Sequence, residues 1–223
     1  MIAQILREWP PGFGGVERVA HELATVWGGT VYSLNAQPQL LLGPDPLPVS
    51  YHRKRVPRFQ VGRLLLPHLS RVFLRLLLSQ EPLHGHLPSP AVLLTLVLAR
   101  LIRPKRKVTA HWHCFLERSI GISGRFFGLY QRLALLLVPY LSGVITTSPA
   151  LKEELVRCGC RSDRVAVLSC CLSHDQEHSA SLIPLRQTLS GAPMRLIFIG
   201  RLDTYKRLDW LLMALSELRS PWQ

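Results

Sequence analysis

The chain has 223 residues, of which 48% are hydrophobic and 18% are charged, with 27 Lys and Arg against 14 Asp and Glu. So much apolar material excludes a disordered chain, a collagen and a coiled coil. The formal net charge of +13 predicts attraction to anions such as phosphorylated small molecules, an anionic membrane face or nucleic acid.

The apolar segments are too short to cross a membrane. The longest, residues 91–102 and 133–141, fall short of the roughly 18 apolar residues that a spanning helix needs. The start of the chain lacks the basic region, long apolar stretch and cleavage site of a secretory signal. The cysteines form no CxxC pair, so reduced thiols are expected. We therefore expect a cytoplasmic protein, with the inner face of the membrane as a candidate peripheral location.

Short β-like runs alternate with helical runs, which is typical of a parallel sheet with helices on both faces. In chain order the predicted elements are a strand over residues 2–6, a Gly/Pro loop, a helix over 16–27, a strand over 30–34, a Pro-rich irregular stretch over 37–50, a helix over 63–78, a strand over 83–86, a helix over 90–102, a strand over 107–112, a helix over 125–141, a strand over 144–147, a helix over 149–157 and a strand over 164–168. The predicted fold class is α/β, with a Rossmann-like doubly wound parallel sheet.

The composition changes after residue 173. Residues 174–193 are polar and are predicted to form a linker. The pattern then restarts with a strand over 194–199, a loop over 200–205 and a helix over 206–218. One strand and one helix cannot bury their own apolar faces. We therefore predict an N-terminal domain over 1–173 and the start of a second Rossmann-like domain over 194–223.

Two predicted strand-to-helix loops carry residue types that bind phosphate. The first contains Gly14, Gly15 and Glu17. Its glycines let the backbone approach a ligand, and amides at a helix start bind phosphate. The second contains Arg201 and Lys206, which can converge on a diphosphate as a fork and a point charge. A tight turn and a solvated basic loop, both without a ligand, remain the alternatives.

Four histidines form two pairs at predicted strand ends, His84 with His86 and His111 with His113. Alternate strand residues point to one face, and open α/β sheets bind ligands at the carboxyl ends of their strands. The pairs are therefore either structural, hydrogen-bonded histidines or part of a ligand site. A metal site on the two pairs is disfavoured, because no neighbouring carboxylate supports it. A zinc site on the cysteines is disfavoured as well, since their spacing fits no common pattern.

Six motifs stand in a fixed order along the chain. They are Gly14-Gly15-x-Glu17-Arg18, His84-x-His86-Leu87-Pro88-x-Pro90, Trp112-His113, Thr147-Ser148-Pro149, the run over residues 167–173, and Gly200-Arg201-Leu202-x-x-x-Lys206. No single motif is specific, but the ordered set resembles glycosyltransferase family 4 over nearly the whole chain. That family comprises retaining, nucleotide-sugar-dependent transferases with the GT-B fold.

The resemblance implies a role for each matching residue. Gly14 and Gly15 would lie against the donor diphosphate and the reacting sugar. His113, or as second choice His111, would be the catalytic histidine beside the transferred sugar. The diphosphate leaving group would be held by Arg201 and Lys206. Candidates for the acceptor or sugar pocket are Glu17, His86 and Ser148.

The implied reaction moves a sugar from a nucleotide-sugar donor to a glycan or lipid-linked acceptor, as in envelope polysaccharide biosynthesis. Family members proceed by front-face attack with retention, and the leaving phosphate helps to deprotonate the acceptor. They need no catalytic metal and no cofactor, because the nucleotide-sugar is a co-substrate. Fixed cations and helix amides can stabilise the departing diphosphate instead, and the chain contains no Asp-x-Asp.

Two departures from the family pattern stand out. Residues 169–173 read Ser-Cys-Cys-Leu-Ser, where the family usually has Pro-x-Gly/Asn-Val-Asp. The acidic E-x7-E element of the family would lie beyond residue 223. We therefore expect a chain truncated within the donor-binding domain, either a fragment of a longer enzyme or a truncated product, with negligible transferase activity on its own.

The surplus of positive charge also fits anionic partners other than a nucleotide-sugar. Residues 63–78 are basic and Leu-rich, as in helices that lie in a membrane interface, although a core helix fits equally well. Basic residues at 100–107, among them Arg106, add charge to an anionic membrane contact. A non-catalytic module that binds an acceptor, a membrane surface or a partner protein is the alternative to an enzyme. No nucleic-acid partner is expected, because the basic residues are scattered and an RNP-like motif is absent.

Overall fold

The computed structural model describes residues 1–9, 14–34, 49–61, 64–116, 122–170, 174–184, 196–198 and 206–218. The chain divides into two compact units, Met1–Ser173 and His174–Gln223. The assignment of these units to two domains stays a prediction.

The first unit alternates strands and helices. In chain order its elements are β1 (Ala3–Leu6), α1 (Gly15–Trp27), β2 (Thr30–Ser33), β3 (His52–Arg55), β4 (Arg58–Val61), β5 (Leu64–Pro67), α2 (Arg71–Leu78), β6 (Leu83–Leu87), α3 (Pro90–Ile102), β7 (Val108–Trp112), α4 (Ile122–Leu137), β8 (Gly143–Thr146), α5 (Pro149–Arg157) and β9 (Val165–Val167). Seven strands form one parallel sheet in the order β3-β2-β1-β6-β7-β8-β9, and β4 and β5 pair as an antiparallel hairpin. The predicted parallel α/β sheet is confirmed.

Helices cover both faces of this sheet, as two neighbouring residues of β6 show. The Trp27 ring of α1 packs edge-to-face on His84, with the ring centroids 5.2 Å apart. A Cβ built on Gly85 would lie 2.7 Å from both terminal methyl carbons of Leu96 in α3. Successive strand residues point to opposite faces, so α1 and α3 cover opposite faces. The sheet is doubly wound, as predicted.

The two faces differ in polarity. The larger core lies on the α3 face and includes Ile5, Leu83, Leu96, Val108, Ala110 and Trp112. A smaller cluster under α1 consists of Leu6, Ala20, Ala24, Val31 and Tyr51. The strands also carry buried polar residues, Gln4, His84, His86 and His111, and their register places them together beside Trp27 on the α1 face. This polar face holds the candidate site.

Residues 63–78 do not form the single predicted helix. The first part, Leu64–Pro67, is strand β5. Helix α2 starts only after Ser70, whose hydroxyl accepts a hydrogen bond from the Phe73 amide at 3.3 Å. Proline has no amide hydrogen, and Pro67 therefore fits a strand end better than a helix interior. The prediction of one helix was wrong because leucines of a hairpin and of a helix follow each other in the chain.

Arg106 belongs to the fold and not to a basic surface. Its side chain is only 4% exposed. The guanidinium donates hydrogen bonds to the Leu76 carbonyl in α2 at 2.7 Å and to the Glu81 carbonyl at 2.6 Å. It thereby satisfies a carbonyl at the C-terminal end of α2. The expected contribution of Arg106 to a membrane contact was wrong.

The second unit contains two described helices, α6 (His174–Ser181) and α7 (Leu208–Ser216). Helix α7 confirms the helix predicted over 206–218, and α6 lies within the predicted linker. The strand predicted over 194–199 lies outside the described residues except for 196–198, which have no regular secondary structure. The loop predicted over 200–205 lies outside them altogether.

The close approach of α3 to β6 predicts a stability cost for one added methyl group. In Gly85→Ala the new Cβ would lie 2.7 Å from Leu96 methyl carbons, and overpacking of this kind costs about 1–3 kcal/mol. Urea unfolding should show a loss of that size. The control is Gly128→Ala in α4, where an added Cβ meets none of the described residues within 4 Å and a helix gains about 0.5–1 kcal/mol. Equal stability of the two variants would contradict this packing.

Candidate functional site

Four histidines gather along β6 and β7, from His84 near the start of β6 to His113 directly after β7. His84 and His86 alternate along β6, and the register pairs His86 with His111 of β7. His113 directly follows β7 and stacks on His111, with the ring centroids 4.1 Å apart and the planes 5° apart. The centroids of His86 and His113 are 5.3 Å apart. The structure thus brings the two sequence-predicted pairs into one cluster, which we call the histidine cluster.

A chain of hydrogen bonds ties this cluster to β1. The Gln4 Oε1 lies 2.8 Å from His86 Nε2, and His86 Nδ1 lies 3.0 Å from His113 Nε2. An amide oxygen can only accept, so His86 Nε2 carries the proton and His86 Nδ1 accepts from His113 Nε2. His113 Nδ1 then has no proton and is an acceptor. The chain fixes both the tautomer and the ring orientation of His113.

Burial keeps the four imidazoles uncharged. Desolvation lowers the pKa of His84 to about 3, that of His111 to about 4 and that of His113 to about 3. The pKa of His86 lies well below 6.5 for the same reason. At neutral pH these rings can therefore donate and accept hydrogen bonds or bind a metal, but they do not act as cations toward a phosphate.

Gly14 and Gly15 differ in what surrounds them. A Cβ on Gly14 would collide with the Glu17 carboxylate, which folds back over the start of α1. Glu17 is 8% exposed, and its Oε2 has no hydrogen-bond partner among the described residues. A Cβ on Gly15 meets no atom within 4 Å in the part of the chain that the structure describes. An alanine at position 14 would displace the end of the flexible Glu17 side chain, whereas Gly15 leaves space among the described residues at the helix N-terminus that a ligand can enter.

The other predicted site residues have different surroundings. The Ser148 hydroxyl caps α5 by accepting a hydrogen bond from the Leu151 amide at 3.2 Å, and its place in a sugar pocket stays a prediction. Lys206 is exposed and precedes α7 in the second unit. Arg201 lies outside the described residues.

The sequence analysis missed two polar residues that hydrogen-bond to the histidine cluster. Gln4 is completely buried, and the Thr109 hydroxyl lies 2.8 Å from His84 Nδ1. The signal for Gln4 was available, because it is the polar residue of a strand that otherwise reads Ala-Ile-Leu. Its significance depends on the pairing of Gln4 with His84 across β1 and β6, which the sequence alone does not reveal.

An apolar cavity of about 670 Å³ lies at the same edge of the sheet. Its described lining residues are Arg7, Val61, Leu64, Leu65, Pro88, Ser89, Pro90, Leu116, Phe126, Phe127 and Tyr130. Arg7 directly follows β1 and Pro88 directly follows β6, which places the cavity at the carboxyl ends of the central strands. The sequence analysis missed this cavity because its walls come from separate segments.

The neutral histidines make the stability of the fold depend on pH. In the unfolded chain a histidine takes up a proton near pH 6.5, whereas in the fold the pKa of His84 is about 3. The unfolded state then binds more protons below about pH 6.5, and stability falls as the pH drops. Urea unfolding between about pH 7 and pH 5, in EDTA, should show a loss that steepens below about pH 6.5 toward about 1.4 kcal/mol per pH unit for each such group.

The variant His84→Gln removes one such group, so its free energy of unfolding should fall less steeply with decreasing pH. The matched control is His52→Gln on the exposed start of β3, which should retain the slope of the unmodified chain. A stability that does not fall below pH 6.5, or an equal slope in both variants, would contradict the burial of neutral histidines.

Comparison with known proteins identifies the family. The family model Glycosyltransferase Family 4 matches residues 13–176. The chain is similar to Anabaena Alr3699/HepE solved with UDP and glucose, with a TM-score of 0.63 and 18% identity, covering 97% of this chain and 57% of that chain. It is also similar to the apo form of the lipopolysaccharide outer core galactosyltransferase WaaB, with a TM-score of 0.57 and 14% identity. That match covers 100% of this chain and 59% of the WaaB chain. No curated protein sequence matches.

The chain therefore spans 57% and 59% of the lengths of these two transferases. Their shared fold confirms the predicted GT-B type of α/β architecture. Since the family model covers more than half of its residues, the chain belongs to glycosyltransferase family 4.

Proposed function

We propose that the protein transfers a sugar from a nucleotide-sugar donor to a glycan or lipid-linked acceptor, with retention and without a catalytic metal. The observation that carries this proposal is the carboxyl edge of the sheet, where an open helix start at Gly15 accompanies a neutral histidine held by hydrogen bonds, His113. The HepE structures contain UDP, glucose and UDP-glucose, which makes UDP-glucose the first donor to test.

His113 is the histidine that we propose to contact the transferred sugar. Its Nε2 is engaged with His86, so Nδ1 is the ring atom that accepts a hydrogen bond from a sugar hydroxyl. His111 is fully buried and stacks against the His113 ring. We therefore give His111 a supporting role and not direct contact with the sugar.

The start of α1 is proposed to receive the donor diphosphate. Free amides and the helix dipole place partial positive charge at a helix N-terminus. Charge builds on the diphosphate as the bond to the anomeric carbon breaks, and preorganised donors stabilise it. The acceptor oxygen bonds to that carbon on the same face, and its proton passes to the leaving phosphate. Arg201 and Lys206 are proposed to hold the same phosphates.

The apolar surfaces of the first unit favour a lipid-linked acceptor. Helix α4 exposes Phe126, Leu129, Leu133 and Leu136, each at 47–68%, and the spacing of these residues places them on one face of the helix. Phe126 also lines the apolar cavity, so the exposed stripe leads into that cavity. We propose that the cavity receives the apolar part of the acceptor.

The same helix is the proposed contact with an anionic membrane surface. Arg125 and Arg132 are exposed on α4, and interfacial helices combine apolar and basic residues in this way. Helix α2, part of the segment that the sequence analysis considered either for this contact or for the core, buries Phe73, Leu76 and Leu77 in the core. Within the described residues, no helix has the length and apolar character needed to span a bilayer.

The Gly15→Ala variant separates donor binding from folding. The added Cβ meets no other described residue within 4 Å, so the free energy of unfolding should be unchanged or raised by up to about 1 kcal/mol. A diphosphate displaced by about 1 Å should lower sugar transfer about 100-fold. Transfer from UDP-glucose is measured as UDP release by the protein expressed from its whole reading frame. Gly128→Ala is the control, and equal transfer by both variants would contradict the proposed donor position.

The membrane contact is tested by sedimentation with anionic liposomes. The chain should bind in low salt and dissociate as salt is raised, because surface charges are screened. Leu129→Glu with Leu133→Glu should abolish binding. The control variant, Val26→Glu, changes an exposed apolar residue on α1 that is 82% exposed, and it should still bind. Absence of salt-sensitive binding, or equal binding by the two variants, would end this part of the proposal.

A further inference from the structure

We propose that His84, His86 and His111 form a binding site for a divalent transition-metal ion of the Zn²⁺ class. Each residue offers one ring nitrogen, and the three nitrogens lie within 4.8 Å of one another. The side chains are 1%, 2% and 0% exposed, and they project from neighbouring strands of one sheet. The proposed sugar transfer uses no metal, and this site shares His86 with the hydrogen-bond chain that orients His113.

Unpaired ring nitrogens point to a ligand at this place. His84 Nε2 and both ring nitrogens of His111 are buried without a hydrogen-bond partner among the described residues. A buried polar atom without a partner typically costs about 1–3 kcal/mol. His84 and His111 therefore each carry a cost that ligation of a bound metal ion would remove.

The surroundings of His84 match those of a metal ligand. Ligating histidines usually use their second ring nitrogen in a hydrogen bond to an oxygen, which fixes the ring. His84 Nδ1 lies 2.8 Å from the Thr109 hydroxyl, and this leaves Nε2 as the ligand atom. Both nitrogens of His86 are engaged, with Gln4 and with His113. Ligation by His86 therefore replaces one of those two bonds.

The donor set selects the class of metal. Imidazole nitrogen suits Zn²⁺, Cu²⁺, Ni²⁺ and Co²⁺, whereas Mg²⁺ and Ca²⁺ prefer oxygen ligands. Three histidines with a fourth, open position form the tetrahedral arrangement of several zinc sites. The group contains imidazoles only, so it differs from the oxygen sites that hold Mg²⁺ or Mn²⁺ against a diphosphate. His113 is partly exposed and stacks on His111, which gives the cluster one side near the surface.

The test is a titration of the purified, EDTA-treated chain with Co²⁺, followed by absorption, and with Zn²⁺, followed by calorimetry. One ion should bind per chain, and Mg²⁺ should not bind. The Co²⁺ spectrum should show tetrahedral d–d bands without a thiolate charge-transfer band. His84→Gln and His111→Gln should each weaken metal binding at least tenfold, because each variant loses a ligand. The control variant His52→Gln, on exposed β3, should bind the metal like the unmodified chain.

A further variant leaves every ligand in place. Thr109→Val removes only the hydrogen bond to His84 and should weaken Zn²⁺ binding by about tenfold. This variant tests the site even if a histidine variant fails to fold. The proposal is overturned if Zn²⁺ does not bind, if binding survives in His84→Gln and His111→Gln, if Thr109→Val binds like the unmodified chain, or if the Co²⁺ spectrum shows thiolate ligation.

Discussion

The hydrogen bond between Gln4 and His86 connects the centre of the sheet to the edge where ligands can bind. Gln4 is fully buried on β1, and its amide oxygen accepts from His86 Nε2 at 2.8 Å. This bond leaves His86 Nδ1 as an acceptor for His113. A slip of one residue in the register of β1 against β6 would turn Gln4 to the other face of the sheet. The orientation of His113 therefore depends on strand pairing several residues away.

The two faces of the sheet have different roles, one in stability and one in holding polar groups. On the α3 face the backbone packs so closely that Gly85 leaves no space for a side chain, and this packing supplies most of the apolar core. On the α1 face the strands carry histidines that burial keeps neutral. Stability thus comes mainly from one face, which allows the other to hold polar groups that cost energy to bury.

The sequence predicted the alternation of strands and helices well where local signals agree. Helices α3 and α5 were predicted with their observed bounds, because each starts with Pro directly after a Ser cap position. Strand β3 was missed because its sequence, His-Arg-Lys-Arg, has no apolar alternation. It is an edge strand, and edge strands commonly carry charge.

The candidate site was predicted only in part. The alternation of His84 with His86 predicts one face for the pair, and the structure agrees, since strand geometry is local. The bonds to Gln4 and Thr109 depend on register, and the apolar stripe of α4 depends on which helix face remains uncovered. Both are tertiary properties that no single segment contains. The roles proposed for Arg201 and Lys206 rest on their residue types and on the family resemblance.

The account rests most directly on the state of His113, which nitrogen-15 NMR of the histidine side chains measures. We expect a neutral ring at neutral pH, with the proton on Nε2 and a bare Nδ1, as the hydrogen bonds to His86 and Gln4 require. Addition of UDP-glucose should shift the His113 Nδ1 signal and the Gly15 amide together. A protonated Nδ1 in the free protein, or saturating UDP-glucose that shifts neither signal, would contradict the account.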